Sequence, residues 1–290
     1  MTLEQLRIFV AVAERQHMTR AAEALNITQS AASAAIAALE ARHDTRLFDR
    51  VGRGLALTQA GRAFLPEARA VLARAADAAQ LLDDLAGMKR GRIDIFASQT
   101  VGAYWLPPRL AAFSRAHPGV ELALAIGNTA QVTQAVLEGE AELGFVEGAV
   151  EAPSLLRRPI GADRLAMVAT PDHPLATAGE FPIEDLARHP WVRREAGSGT
   201  RSEFEQALRG LGLEPDRLPC TLVLPSNEAI LAAVSQGGLM AAVSELAARP
   251  LIARGLLRQI GPELPPRPLE LVTNPDRRPS RAAAALLDGL

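Results

Sequence analysis

A single cysteine, Cys220, is all that the sequence holds. No intrachain disulfide can form, which suits a reducing compartment, and Cys220 is expected to be a small buried hydrophobe. No run approaches the roughly 18 consecutive apolar residues of a membrane-crossing helix, so no membrane span is expected. The opening Met1-Thr2-Leu3-Glu4-Gln5 has no basic region followed by an apolar core. No secretory signal is read there, and a cytoplasmic location is expected. An excess of one charge is lacking too. With 31 Lys and Arg against 33 Asp and Glu, the formal net charge is −2, which argues against general coating of nucleic acid. Five histidines (His17, His43, His117, His173, His189) are scattered without metal-ligand spacing, and the last three each precede a proline, which marks loop starts. Gly197-Ser198-Gly199 lacks the strand-to-helix setting of a hydrolase nucleophile. Neither an enzyme nor a metal or cofactor site is expected.

At 290 residues the chain exceeds one typical domain, and 48 % apolar residues are enough for a sizeable core. The charge distribution says more than its sum. Between Arg42 and Arg62, five arginines (42, 46, 50, 53 and 62) face Asp44 and Asp49, a local net of +3. A small basic patch on a weakly acidic chain suits a modular DNA binder.

Leu3, Leu6, Phe9, Val10 and Ala13 recur at helical spacing. A second helix is expected at Thr19–Leu25 with Thr19 as N-cap, then a tight turn at Asn26-Ile27. Thr28 can cap a third helix that runs to about Arg42, rich in alanine and with Ile36 and Leu39 on its buried side. Two helices joined by a short turn, the second opening on small polar residues, form a helix-turn-helix. Thr28, Gln29, Ser30 and Ser33 would then face DNA, and Gln29 can bond adenine in bidentate fashion. A plain three-helix bundle with an alanine-rich core helix fits the same three segments. The next stretch, Leu47 to Thr58, reads as a hairpin around Val51-Gly52-Arg53-Gly54, with Arg50 and Arg53 placed to reach phosphates or a minor groove. The pattern is a winged helix-turn-helix.

From Thr58 to about Met88 the chain favours one long helix with an apolar stripe: Phe64, Leu65, Ala68, Val71, Leu72, Ala75, Ala79, Leu82 and Leu85. Some 30 residues would span roughly 45 Å, too long to bury against a small winged domain, so dimerisation through this helix is expected. Folding back on the C-terminal part is the alternative. Pro66 should kink the helix near its start, and Gly87-Met88-Lys89-Arg90-Gly91 reads as a hinge.

Beyond it, strands alternate with helices: strands at Arg92–Ala97, Val120–Ile126, Leu143–Val146, Leu165–Val168, Thr221–Val223, Leu239–Val243 and Leu269–Val272, and helices between them. Such alternation calls for parallel sheets in two α/β lobes around a cleft. Ligands bind beyond the carboxyl ends of such strands. Two loops stand there, Ala97–Gly102 and Glu195–Glu203, the second with Thr200 and Glu203 expected as a capping box. Both offer hydroxyls and amides at a helix start, the ingredients of an anion site; ordinary capping is the competing explanation. Ser98, Gln99, Thr100, Ser198 and Thr200 are the candidate ligands of a small anion. Asn128, Thr129, Glu147 and Ser226, at other strand-to-helix junctions, are candidate lining residues.

The series Leu6-Arg7-Ile8-Phe9, Thr19-Arg20-Ala21-Ala22-Glu23-Ala24-Leu25-Asn26-Ile27-Thr28-Gln29-Ser30-Ala31, Ser33, Ile36, Leu39-Glu40, Leu47-Phe48-Asp49-Arg50, Leu57-Thr58 and Ala60-Gly61 resembles the DNA-binding module of LysR-type transcription regulators. Family members often carry Lys or Arg just after the serine matching Ser33, where this chain has Ala34-Ala35. Base reading therefore shifts to Gln29, Ser30, Ser33 and the wing arginines. The resemblance covers nearly the whole chain and implies an α/β multidomain protein. Its expected parts are a winged helix-turn-helix (1–58), a linker and dimerisation helix (59–90) and a two-lobed, periplasmic-binding-protein-like effector domain (91–290). Lobe 1 is expected at about 91–160 with 266–290, and lobe 2 at about 161–265. Implied partners are double-stranded DNA, further copies of the chain in dimers and tetramers, and a small-molecule effector; no membrane is implied. Trp191-Val192-Arg193-Arg194-Glu195 and Ala97-Ser98-Gln99-Thr100, with Tyr104 and Leu106-Pro107, are similar to the subgroup controlling sulfur assimilation and carbon fixation. That likeness points to sulfite, sulfate or a phosphorylated metabolite. A DNA-binding regulator without an effector is the alternative.

Overall fold

The first helix, α1 (Leu3–Arg15), starts where Thr2 Oγ1 accepts the Gln5 amide at 3.2 Å and Gln5 Oε1 accepts the Thr2 amide at 3.0 Å. That reciprocal pair satisfies two of the amide donors left open at a helix start. The computed structural model describes residues 1–52, 54–85 and 91–290, so Arg53 and residues 87–90 of the expected hinge lie outside the described residues, while Gly91 of that hinge opens a strand. The chain forms two units, each taken by itself.

In the first unit α1 is followed by α2 (Met18–Ala24), whose N-cap is His17, its Nδ1 accepting the Arg20 amide. Thr19 is a helical residue rather than the expected cap. Asn26 takes φ +54° and the Ile27 amide donates to Ala22 O at 3.0 Å, which closes the tight turn. Thr28 then caps α3 (Gln29–His43) through the Ala31 amide at 3.2 Å. Strands β1 (Phe48–Val51) and β2 (Gly54–Leu57) pair antiparallel as the wing. Glu40 of α3 accepts the amides of Leu47 and Phe48 at 2.7 and 3.2 Å and so fixes where the wing begins. The Leu55 amide donates to Gln16 O at 2.9 Å, tying the wing to the end of α1. Leu6, Phe9, Val12, Ala21, Ala32, Ile36, Leu39 and Leu47 make the core, with Phe64, Leu65 and Ala68 of α4 (Gln59–Leu85) packed on it. A Cβ at Gly61 would lie 2.2 Å from Leu47 O, so only glycine lets α4 start this close to the wing. Pro66 stands inside α4 with helix on both sides. Farther along, Val71, Leu81 and Leu82 are 42, 59 and 68 % exposed. The Leu85 side chain lies outside the described residues.

The second unit opens with β3 (Gly91–Ser98), a single π-turn (Val101–Trp105), α5 (Pro107–Ala116), β4 (Val120–Gly127), α6 (Thr129–Glu138) and β5 (Leu143–Glu147). Strand β3 runs parallel to both β4 and β5. The next strand, β6 (Leu156–Ala169), is far longer than the Leu165–Val168 segment expected from sequence. Its polar first half, Leu156 to Arg164, hides it from an apolar-run search. After α7 (Pro174–Thr177) come β7 (Trp191–Arg194), α8 (Gly199–Gly210), β8 (Cys220–Leu224), α9 (Asn227–Val234), β9 (Met240–Ser244), α10 (Glu245–Ala253), β10 (Arg258–Gln259), β11 (Pro266–Thr273) and α11 (Arg281–Asp288). The strand order is β4-β3-β5-β11-β6-β9-β7-β8, with β10 also on β6. Strand β6 pairs with β11 from Leu156 to Arg164 and with β9 from Leu165 to Val168. It thus passes from one half of the unit to the other. The halves have separate cores: Ile93, Ile95, Phe145 and Leu271 in one, and Met167, Trp191, Leu208 and Met240 in the other.

Candidate functional sites: a recognition helix and a buried hydroxyl cluster

On α3 the residues Ala32, Ile36 and Leu39 face the core, while Gln29, Ser30, Ala31, Ser33, Ala34, Ala37 and Ala38 are exposed. Helical periodicity separates the two sets. Thr28 and Ser30 hydroxyls share a hydrogen bond at 3.0 Å, and Thr28 also caps the helix. Gln29 and Ser33 are exposed polar side chains of the first turn and a half. The exposed face from Gln29 to Ala38 bears no charge and short side chains, so its backbone can come close to another surface. Arg50 on β1 is exposed in the wing. The Arg62 guanidinium donates to Leu57 O at 2.6 Å, a structural tie at the end of the wing. Arg53 lies outside the described residues.

In the second unit Ser98, Thr200 and Thr129 converge on Glu147, while Ser198 caps a helix. Ser98, at the end of β3, donates its hydroxyl to the Glu147 carboxylate at the end of β5. Thr200, in the first turn of α8, donates to Glu147 Oε1 at 3.3 Å. Thr129, at the start of α6, donates to Glu147 O at 2.7 Å. All four are buried. The approach is so close that a Cβ on Gly199 would sit 1.7 Å from Glu147 O, which makes glycine obligatory there. Gly148, at φ +86°, turns the chain immediately after.

Arg267, 2 % exposed, underlies the cluster. Its guanidinium donates to Thr200 Oγ1 at 3.2 Å, to Thr100 Oγ1 at 3.3 Å and to Asp163 Oδ2 at 2.8 Å, and lies 3.9 Å from Glu147 Oε1. A guanidinium can stay charged at that depth only with such partners. Asn227, at the start of α9, donates Nδ2 to Thr100 Oγ1 at 3.2 Å, while its buried Oδ1 has no partner. Gln99 accepts the Asn227 amide at 3.0 Å and donates to Glu228, which also accepts the Tyr104 hydroxyl at 2.6 Å. Burial, then the Glu228 carboxylate, pushes the Tyr104 hydroxyl well above its usual range. Burial would raise Glu228, but hydrogen bonds from Tyr104, its own backbone, Ser226 and Gln99 hold its carboxyl below the usual value. On the other flank, Asn128 donates to Glu195 at 3.2 Å, and Arg194 grips Glu195 at 2.8 and 3.0 Å.

Two sequence expectations give way here, the capping box of Thr200 with Glu203 and the burial of Cys220. The cap of α8 is Ser198, which accepts the Arg201 amide at 3.4 Å; Thr200 forms no capping box and turns inward instead. Ser226 caps α9 through the Ala229 amide at 3.1 Å, and its neighbour Asn227 is the one that reaches Thr100. Cys220 is exposed, not buried, because it falls on β8 at the end of the strand order. Sequence reasoning missed Arg267, Asp163 and Asn227. The signal for Arg267 was alternation: it shares the inward face of β11 with Leu269 and Leu271. A groove of about 490 Å³ opens next to the cluster, bounded by Ala130, Thr133 and Gln134 of α6 and by Ser198, Arg201 and Ser202 of the α8 entry.

Among the described residues no group of three or more His, Cys, Asp or Glu could hold a metal ion. Likewise no helix is long and apolar enough to cross a membrane. Three histidines have structural roles. His17 and His173 cap helices, and His117 stacks on Phe113.

A family model described as bacterial regulatory helix-turn-helix protein, lysR family, matches residues 3–62. One described as LysR substrate binding domain matches residues 86–290. The chain is 35 % identical over 264 residues to the HTH-type transcriptional regulator YeiE of Escherichia coli (strain K12), covering 91 % of this chain and 87 % of that one. It is 34 % identical over 287 residues to a probable RuBisCO transcriptional regulator of Cyanidioschyzon merolae, covering 97 and 95 %. To the HTH-type transcriptional regulator CysL of Bacillus subtilis it is 33 % identical over 237 residues, covering 82 and 78 %. Full-length CbnR complexed with target DNA shares the fold at a TM-score of 0.70 and 22 % identity, over 100 % of this chain and 98 % of that one. The Synechocystis CcmR regulatory domain in complex with 2-PG aligns at a TM-score of 0.62 and 26 % identity, over 69 and 95 %.

Proposed function

Because the chain belongs to the LysR family of DNA-binding transcription regulators, we propose that a small anionic effector in the Ser98–Thr200 cluster controls how its winged helix-turn-helix holds an operator. The observation that carries this reading is the Glu147 carboxylate. It accepts hydroxyls from Ser98 and Thr200 and lies 3.9 Å from Arg267, the contacts that an oxyanion would need. Charge-assisted hydrogen bonds of this kind favour the anion over a neutral ligand. An incoming oxyanion replaces Glu147 between the hydroxyls, and Glu147 leaves for the adjoining groove. Ser98, Gln99, Thr100, Thr129, Ser198 and Thr200 then bind, and Asn128, Glu147 and Ser226 line the opening. The relatives' names and the 2-PG in the CcmR complex support a sulfur oxyanion or a phosphorylated metabolite.

On DNA, Gln29 and Ser33 read base edges, Thr28 and Ser30 fix the helix entry, and Arg50 and Arg53 hold the backbone or minor groove. The exposed Val71, Leu81 and Leu82 of α4 support pairing of two copies through the linker helix. Tetramers then form through the effector domains. The division into 1–58, 59–90 and 91–290 follows these roles, and the location is the cytoplasm. The family regulates transcription, and no catalytic role is assigned to any residue.

Titration calorimetry of the full chain against sulfate, sulfite, phosphate and 2-phosphoglycolate tests the site. At least one anion binds the wild type, and Thr100→Ala with Thr200→Ala weakens it by about tenfold or more, a loss of some 1.4 kcal/mol. Equal affinities would remove the assignment. One observation favours a second reading: Glu147 already satisfies the hydroxyls, as a regulator without an effector would require. Under that reading none of the four anions alters a gel shift.

A further inference from the structure

A second cavity, of about 860 Å³, lies between the outer face of α8 and the entry to β11. Its walls are mainly apolar, with Leu165, Ala207, Leu211, Leu264 and Pro266 among them. Glu203 lines it from α8, half-buried, and its carboxylate makes no hydrogen bond or ion pair among the described residues. The other charges of the lining are matched. Arg267 is held by Asp163 at 2.8 Å, and Arg209 lies 3.9 Å from Glu214. Burial pushes the Glu203 carboxyl above its usual range; Arg267 and Arg157 pull it down, and Glu147 and Glu270 push it up.

We propose that this groove is a second ligand site, specific for a small organic cation: an amine or guanidine carried on an apolar body. A carboxylate with apolar neighbours is poorly solvated, and an ammonium group beside it restores the missing partner. The apolar body covers Leu211, which is 37 % exposed without a ligand. Glu203 is the lining charge without a hydrogen bond or ion pair among the described residues, and it sets the preferred charge of the ligand. Anions are repelled and neutral molecules gain only the apolar contact.

Calorimetry of the full chain at neutral pH with benzylamine, benzyl alcohol and benzoate separates charge from apolar fit. Benzylamine should bind about tenfold tighter than benzyl alcohol, and benzoate weakest, a difference of roughly 1.4 kcal/mol for each tenfold step. Glu203→Gln keeps the shape and removes that preference. Leu211→Lys, at an exposed position of the lining, supplies a resident cation and also removes it. Benzylamine affinity should fall on acidification as Glu203 takes up its proton. Benzylamine binding no tighter than benzyl alcohol, or a preference that survives in both variants, overturns the site. Arg267 borders both places, but the charge preference is read at Glu203 and the ligands of the anion cluster are tested separately.

Discussion

Glu147 and Arg267 show how burial turns ordinary residues into a candidate site. Each has a side chain 2 % exposed, and each contacts hydroxyls contributed from both sides of the cleft. The hydroxyls themselves were legible, since Ser98, Thr100, Thr129, Ser198 and Thr200 sit at strand-to-helix junctions, where sheet proteins bind ligands. Of their partners, Glu147 was named as a lining residue, whereas Asp163 and Arg267 were not. Asp163 lies in the half of β6 that sequence reading left out, and Arg267 stands between Pro266 and Pro268, which reads as loop. A different residue contributes to the acid response. His173 Nδ1 accepts the Leu175 amide at 3.2 Å, and its ring meets His189 at 4.8 Å. Burial first, then His189, lowers the His173 pKa, against a smaller pull from Asp172. The unfolded chain therefore binds the proton more tightly. Its stabilising effect is complete above the unfolded value of about 6.5 and is lost as pH falls from there through the lower folded value. His173→Asn keeps an acceptor for the Leu175 amide without titrating. Its melting temperature should drop less than that of the wild type between neutral and mildly acid pH; parallel drops would assign the sensitivity elsewhere.

Elements place these residues with little freedom. Helix α3 presents Gln29 and Ser33 because Ile36 and Leu39 must face α1, and that periodicity was plain in the sequence. The boundaries were less so. Thr19 was expected to cap α2, but His17 supplies the acceptor two residues earlier, and propensity alone does not separate the two. Thr200 has the chemistry of a cap, yet Ser198 occupies that position, because Gly197 at φ +84° and then Gly199 carry the chain against β5. The close approach gives a direct test. In Gly199→Ala the new methyl group would stand 1.7 Å from Glu147 O, a backbone atom that cannot swing away. The α8 entry must retreat, and the Thr200–Glu147 bond breaks. A loss of about 1–3 kcal/mol in urea unfolding is expected, together with weaker anion binding. A variant as stable as the wild type would show that the contact is soft.

At the scale of the molecule, the chain joins a DNA-reading unit to a ligand-sensing one, as the two family matches divide it. Composition already excluded a general nucleic-acid coat, and the local basic segment pointed to the first unit. The two-core architecture of the second unit followed from alternating strands and helices. The return of 266–290 to the first half was expected; the full length of β6, which pairs with β11 in one half and β9 in the other, was not, since pairings so distant in sequence leave no local pattern. Occupancy of the cluster can act on DNA only by favouring one arrangement of these halves over another. The most direct measurement is a footprint on DNA selected from a random pool by the full chain, with and without saturating sulfate, sulfite, phosphate or 2-phosphoglycolate. The account predicts that the anion bound in calorimetry changes the protected length or the cleavage pattern within it, and that Thr100→Ala with Thr200→Ala abolishes the change. An identical footprint at saturation would contradict it.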